Sequence, residues 1–325
     1  MVWRFIVGVF RLLWHTVRFC FRILRRLLRS RLGLVCLILV GLYFGIRGCE
    51  APALRVGTYN IREFGVQTDL MRLRALLAET DADILALQEI QDTDMLEQVA
   101  TDLSAVTARS YHAVVSKCGG KRTMHLGFLY DTNRVRLDDT REFPELRDDD
   151  RGSCSQGDRA GLLGVFSARS GLRRIRTHLL TVHFPAGSDF RQAQARQEFW
   201  ARALGIVSRL RAGGEKRVLL LGDVNSTGYR DDAYEERTAI HRSVEQAGFR
   251  LLTPGLACTE YWRPNIFSSY LPSHLDHIAS AVELQTVGEP IVQGHCAALR
   301  CQPTAQMPSD YNDVSDHCPV LVTLR

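Results

Sequence analysis

Apolar and polar positions along residues 54–325 change period several times. Two-residue alternation and short apolar runs predict strands at Leu54–Ile61, Ile84–Glu89, Phe128–Asp131, Leu162–Ala168, Arg174–Phe184, Arg217–Leu221, Leu275–Ala281 and Val320–Leu324. A helical period predicts a helix at Asp69–Glu79, with Thr68 as N-cap and Leu70, Leu73, Leu76 and Leu77 on one face. A longer helix fits Asp189–Arg211, with Phe199, Ala203, Ile206, Val207 and Leu210 turned inward. Asp138–Arg151 is acidic and reads as a solvated loop, with a calcium site as the alternative. Strands mixed with helices at intervals predict an α+β architecture, which two facing sheets with helices outside would accommodate. No long linker, repeat or low-complexity stretch follows residue 53.

The first 53 residues follow a different pattern. Arg4, Arg11, Arg18, Arg22, Arg25 and Arg29 fall within an arc of about 60° at helical spacing, with Trp3, Phe10, Trp14 and Phe21 on the other faces. This predicts a basic amphipathic helix over 1–31, suited to an anionic membrane surface. Residues 32–46 carry no charge. That run is short for a span of roughly 20 residues, but snorkelling of Arg29, Arg31 and Arg47 extends it. The expectation is a transmembrane anchor at 32–48 followed by a domain at 54–325. The alternative is a signal peptide cut after Ala51-Pro52-Ala53. Both place residues 50–325 outside the cytoplasm, as a periplasmic or extracellular domain, because the positive charge stays inside.

Charge sharpens this division. The chain has a formal charge of +5, yet nine arginines and a single acid lie in residues 1–53, which leaves 54–325 at −3. A polyanion must therefore be met by local patches or through a bound cation. The nine cysteines show no zinc-site spacing. In an oxidising compartment, Cys118–Cys154 and Cys296–Cys301 are plausible pairs whose connectivity the sequence leaves open, and Cys318 reads as a buried free thiol.

Candidate chemistry gathers where apolar strands end in polar residues. Val56, Thr58 and Asn60 share a strand face, as do Leu85, Leu87 and Glu89, and Leu219, Leu221 and Asp223 with Asn225 just beyond. Packing gives no reason for three strands to end this way. Oxygen ligands without thiolates suit Mg²⁺ or Mn²⁺. Asp276 in SHLDHI, Asp316-His317 in SDHCPV and His183 in TVHF add acid and histidine neighbourhoods.

The ordered series TYNI, LQEI, TVHF, GDVN, LDHI and SDHCPV resembles the motif series of the endonuclease/exonuclease/phosphatase superfamily, over about 270 residues. Asn60–Gly65, Arg159 in GDRAGLLGVFS and the closing SDHCPVLVTLR resemble its DNase I branch. The resemblance implies a four-layer α/β/β/α sandwich and hydrolysis of a phosphodiester, most readily in DNA, leaving 5′-phosphate and 3′-hydroxyl ends. Phospholipid or sphingolipid phosphodiesterases share the site, and a catalytically dead tethering module would have lost Glu89, Asp223 or His317, all present here. No obligate protein partner is implied.

By the same resemblance, Glu89 holds the metal with Asn60 and Asp316 nearby. Asp223 and Asn225 orient the attacking water, and His317 is the general base, fixed by Asp276. His183 is the second histidine, acting on the phosphate or the leaving group. Arg159 lies near substrate phosphate, and Arg122 occupies the place of a minor-groove tyrosine. Three positions depart from the pattern: no acid lies between Lys117 and Tyr130 to partner His183, Gln91 replaces a groove arginine, and Arg62 replaces the extra acid of the apurinic-endonuclease branch. An unshifted imidazole at His317 places the acid limb of activity near pH ~6. Tyr130 fits core or rim; His125, His274, His277 and His295 read as structural.

Overall fold

The computed structural model describes residues 14, 35, 53–146, 159–170, 173–229 and 235–325. The chain divides into two units, Met1–Glu50 with Ser170–Arg173 and Ala51–Arg169 with Arg174–Arg325. The elements below are those of the second unit, apart from the tips of two strands. The surface helix and anchor expected over 1–48 lie outside the described residues. Among the described residues, no helix is long and apolar enough to cross a membrane.

In chain order the strands are β1 (Leu54–Phe64), β2 (Ile84–Ile90), β3 (Tyr111–Val115), β4 (His125–Asp131), β5 (Val135–Phe143), β6 (Gly161–Ser170), β7 (Arg173–His183), β8 (Val218–Asp223), β9 (Phe249–Leu251), β10 (Glu260–Trp262), β11 (Leu271–Ser273), β12 (Asp276–Ala281), β13 (Thr286–Val292) and β14 (Val320–Leu324). The helices are α1 (Leu70–Thr80), α2 (Thr93–Val106), α3 (Phe190–Ala212), α4 (Glu236–Gln246) and the short α5 (Gly294–Ala298) and α6 (Ser309–Asp313). One sheet runs β13-β14-β1-β2-β4-β3 and the other β5-β6-β7-β8-β12-β9, with β10 and β11 forming a separate hairpin.

Alternation sorts each strand between two cores. Val56, Ile84, Ala86 and Phe128 of the first sheet meet Leu162, Phe166, Leu179, Leu219, Leu221 and Ile278 of the second. The outer face of the first sheet (Tyr59, Ile61, Leu85, Leu87) packs on Leu73 and Leu77 of α1 and Leu96, Val99 and Leu103 of α2. The outer face of the second (Leu180, Val182, Leu220) packs on Phe199, Trp200, Ala203 and Val207 of α3 and Ile240 and Val244 of α4. The layers thus run helix, sheet, sheet, helix. Each buried leucine or phenylalanine contributes about 1.5–3 kcal/mol, so the α3 face alone outweighs its weak helix-only stability.

Four sequence expectations change. Helix α1 is capped by Asp69, whose carboxylate accepts from the Met71 and Arg72 amides, whereas the Thr68 hydroxyl accepts from Gly65 N. The acidic run is not a loop throughout: Asp138, Asp139 and Glu142 lie in edge strand β5, paired to β6 through Phe143, while 147–158 is outside the described residues. Leu85 and Leu87 face the helices, and Glu89 does not share that face with them. The cysteines pair as Cys258–Cys301 and Cys296–Cys318, so Cys318 is bonded and Cys296–Cys301 is not formed. Sequence proximity misled there, because Cys318 N donates to Thr259 O and brings distant strands side by side. Cys118 is also disulfide-bonded; its expected partner Cys154 lies outside the described residues.

Candidate active site

The inner strand rows turn polar one rung before they end. Thr58 donates to Gln88 Oε1 at 3.2 Å, and Gln88 Nε2 donates across the sheets to Thr181 Oγ1 at 3.0 Å, all three fully buried. This bridge fixes the two sheets directly beneath the residues that follow: Asn60, Glu89, His183 and Asp223. Asp276 pairs in register with Asp223, and His183 with Asp223, so three strand ends of the second sheet meet at one rim.

Glu89 arrives there by a backbone irregularity. Strict alternation would send it toward the helices with Leu85 and Leu87. Instead its φ is +64° and the β2 register shifts between Leu87 and Ile90. Such a bulge re-aims a side chain at some conformational cost, which a site can repay. Glu89 Oε2 accepts from Glu63 N at 2.9 Å, and Oε1 from Asn60 Nδ2 at 3.1 Å.

Asn60 is the hub. Its Nδ2 also donates to Asp223 Oδ2 at 2.9 Å and lies 3.5 Å from His317 Nε2. Its Oδ1 accepts from Arg62 N, so here the amide acts as a donor toward the carboxylates; ligating a cation would need the opposite flip. His317 Nδ1 is 2.9 Å from Asp276 Oδ2, and its Nε2 is 3.7 Å from Asp223 Oδ2. Ser315 accepts from His317 N and donates to Asn60 O, tying the two site segments together. Asp223 Oδ1 accepts from Asn225 N, and Asn225 Nδ2 donates to Phe184 O.

His183 Nε2 stands 3.4 Å from Asp223 Oδ2 and 3.7 Å from Glu89 Oε1, while its buried Nδ1 has no hydrogen-bond partner. Among the described residues no acid orients its Nδ1, in line with the acid-free stretch Lys117–Tyr130. Asp316, expected beside Glu89 and Asn60, hydrogen-bonds to neither. Its carbonyl is held by Tyr261 N and paired with His295 Nε2, and its buried Oδ1 is unpartnered.

Arg159 lies close enough to His183 to depress its basicity, and donates to Met124 Sδ. Arg122 is exposed at the rim on Glu63 Oε1. Tyr130 is half-buried, edge-on to Phe166. His277 bridges Ser226 and Thr253 and stacks on His274, while His125 meets Ser116 O, so these three have structural partners.

Electrostatics separate the two site histidines. Burial drives His183 well below the ordinary imidazole value, helped by Arg159 and His317, so it is neutral. Burial also opposes charge on His317, but Asp276, Asp223 and Asp316 together outweigh it and hold His317 well above the ordinary value. Burial pushes Asp223 up to about 7 against the pull of His317 and Asn60.

Sequence patterns missed one acid, Glu260. It is bridged to His317 across antiparallel backbone and is only 5% exposed, with Oε2 unpartnered. Burial, then neighbouring Asp316, Asp276 and Asp223, raise it well above the carboxylate range against the opposing pull of His317. An acid opening the apolar run Tyr261-Trp262 was the available signal.

Two sets of ligand atoms lie within 4.8 Å of one another at this rim: Glu89, His183 and Asp223, and Asp223, Asp276 and His317. A carboxylate as basic as Asp223, beside Glu89 and a neutral imidazole, is a donor set that fits a hard divalent cation. A third set, His295 with Cys296 and Cys318, is excluded because its thiols are bonded to each other.

The model of the Endonuclease/Exonuclease/phosphatase family matches residues 57–317. Solved structures with a similar fold include an endonuclease/exonuclease/phosphatase from Bacteroides vulgatus, 16% identical, TM-score 0.55, covering 85% of this chain and 99% of that one. Truncated Caenorhabditis elegans TDP2 is 16% identical, TM-score 0.56, covering 84% and 97%. Danio rerio TDP2 complexed with single-strand DNA product is 16% identical, TM-score 0.54, covering 85% and 100%. No curated protein matches the sequence.

Proposed function

The chain belongs to the endonuclease/exonuclease/phosphatase family, and on that premise we propose that it is a divalent-metal-dependent endonuclease that hydrolyses DNA. The observation that carries this is the Asp276–His317 pair aimed at Asp223, beside a Glu89–Asn60–His183 wall. Deprotonated His317 Nε2 takes a proton from water held against Asp223 and the side-chain carbonyl of Asn225, and Asp276 stabilises the imidazolium. The water attacks phosphorus in line with the leaving oxygen. Neutral His183 donates one hydrogen bond, to a phosphoryl or leaving oxygen, and Arg159 offers charge to the phosphate. Glu89 and Asp223 would hold the cation, Mg²⁺ or Mn²⁺, which when bound supplies charge stabilisation to the phosphoryl oxygens. Asp316 is left as an outer acid that raises His317.

The proposed setting is a membrane surface outside the cytoplasm, supported by the arginine stripe and apolar run of residues 1–48. One observation favours a second reading, a lipid phosphodiesterase. The connection between β10 and β11, which starts at Glu260 beside His317, exposes Ile266 and Phe267, the latter 91%. Purified full-length protein with Mg²⁺, assayed in parallel on plasmid DNA, RNA and sphingomyelin vesicles, decides between them. Nicking of plasmid alone supports the nuclease, turnover of sphingomyelin alone the lipid reading, and no chelator-sensitive turnover of any diester rejects both.

A further inference from the structure

Arg196 lies on the inward face of α3, one turn before Phe199, and is fully buried. Its guanidinium grips Glu236 of α4 through two contacts, Nε to Oε1 at 2.5 Å and Nη2 to Oε2 at 3.0 Å. A buried ion pair is on average no stabiliser, since apolar residues of the same volume do as well or better. What this one holds is therefore more informative than its own energy.

Arg196 Nη1 donates to Gly187 O at 2.6 Å and reaches Pro185 O at 3.4 Å; Nη2 donates to Thr227 Oγ1 at 3.1 Å. Glu236 Oε2 accepts from Gly228 N at 2.8 Å, and Thr227 Oγ1 donates to Gly187 O at 3.3 Å. Pro185–Gly187 is the loop that follows His183, and Thr227-Gly228 the loop that follows Asp223 and Asn225. Nearer the rim the same loops are stitched by Asn225 Nδ2 to Phe184 O and Phe184 N to Asp223 O. The His183 ring has no partner at Nδ1 to orient it.

We infer that Arg196 and Glu236 form a positioning pair, which sets the spacing of His183 against Asp223 and Asn225 by clamping the loops behind them. The inference rests on the catalytic roles proposed above. Neither residue touches substrate; both act through the strand ends. A misplacement of about 1 Å in such a site costs on the order of 10²-fold in rate.

The test is the double variant Arg196→Met/Glu236→Leu, which removes both charges and keeps an apolar interior. Steady-state kinetics on a small phosphodiester and a thermal melt are read together, with His317→Ala alongside. The expected result is a kcat about 30-fold lower, a KM within about 3-fold of wild type and a Tm no lower than wild type. The pH at which the rate rises is expected to stay put, because the pair does not contact His317. Wild-type kcat at wild-type Tm overturns the inference, as does a loss of kcat that only follows a falling Tm. Should the double variant not fold, Thr227→Val decides, since it deletes only the hydroxyl shared by Arg196 and Gly187 O. A kcat lowered by about 3–10-fold at unchanged Tm supports the clamp, and an unchanged kcat overturns it. If His317→Ala is itself fully active, the catalytic reading has failed. If it is inactive while the double variant and Thr227→Val keep wild-type kcat, the clamp alone has failed.

Discussion

Strand β2 runs between two clusters of buried carboxylates that are handled in opposite ways. At its start, Asp83 and Asp131 are closed in by arginine: Arg109 pairs with both at 2.8 and 3.0 Å and also with exposed Asp81, and Arg134 pairs with Asp83. At its end, Asp223, Asp276 and Glu260 are buried as deeply, yet among the described residues no lysine or arginine pairs with them. Among the described residues, Asp223 pairs with His317 and His183, and Asp276 with His317. The first cluster is complete within the chain. The second is short of positive charge, and that deficit marks where a cation and a phosphate belong.

The sharpest way to break the contrast is to remove charge from each end. Glu89→Gln and His317→Ala are expected to lower turnover by at least about 10²-fold while the melt stays near wild type or rises. Asp276→Asn should cost on a similar scale and also move the pH profile. Because His317 is held above the ordinary imidazole value, chiefly by Asp276 and Asp223 against burial, the rate is expected to climb as pH rises through that raised value. This replaces the limb near pH ~6 that an unshifted imidazole gives. Asp276 is a main source of the elevation, so Asp276→Asn should shift the limb to lower pH; a limb shifted upward would remove His317 from the role of base. The stabilising side of the shift has a defined window: His317 contributes fully below the unfolded value and loses that contribution as pH rises through the folded one.

Arg109→Met is the opposite perturbation. It strands Asp83 and Asp131, so a loss of roughly 2–4 kcal/mol in denaturant unfolding is expected, with the specific activity of the folded fraction unchanged. An Arg109 variant that is stable but inactive would erase the distinction between the two ends.

Smaller effects sharpen the comparison further. Mg²⁺ at about 100 times its dissociation constant should stabilise wild type by about 2.7 kcal/mol, most of which Glu89→Gln should forfeit and Arg109→Met should keep. Melts with and without chelator measure this. The smallest change expected is Arg122→Ala, a several-fold weaker hold on duplex DNA with a shallower salt dependence, and no change on a small diester. Binding titrations at two salt concentrations check it.

The rows Val56-Thr58-Asn60 and Leu219-Leu221-Asp223 were legible because regular alternation carries them to the rim unaided. Glu89 is legible as a strand-end acid, but its departure from the Leu85 and Leu87 face is not, since a positive φ at a non-glycine leaves no trace in an apolar pattern. Helix α2 carried a readable signal in Leu96, Val99, Ala100 and Leu103. Strand β5 hid behind acids because an edge strand exposes most of its side chains. The Cys296–Cys301 pairing failed because Cys258 and Cys318 are brought together only when the β10 backbone joins the His317 segment. Asp316 gives its carbonyl to Tyr261 N and leaves its buried Oδ1 unpartnered, with no hydrogen bond to Glu89 or Asn60.

Asn60 and His317 meet across 257 residues of sequence, and β1 is paired on one side by β14. During synthesis at about 5–20 residues per second, roughly 13–50 seconds separate the appearance of the two. Throughout that interval the nascent chain holds Glu89 and then His183 and Asp223, but not the His317 that the proposed mechanism uses as base. On that mechanism a half-made or truncated chain is expected to leave nearby phosphodiesters intact, with hydrolytic capability completed only when the segment of His317 and β14 closes against β1.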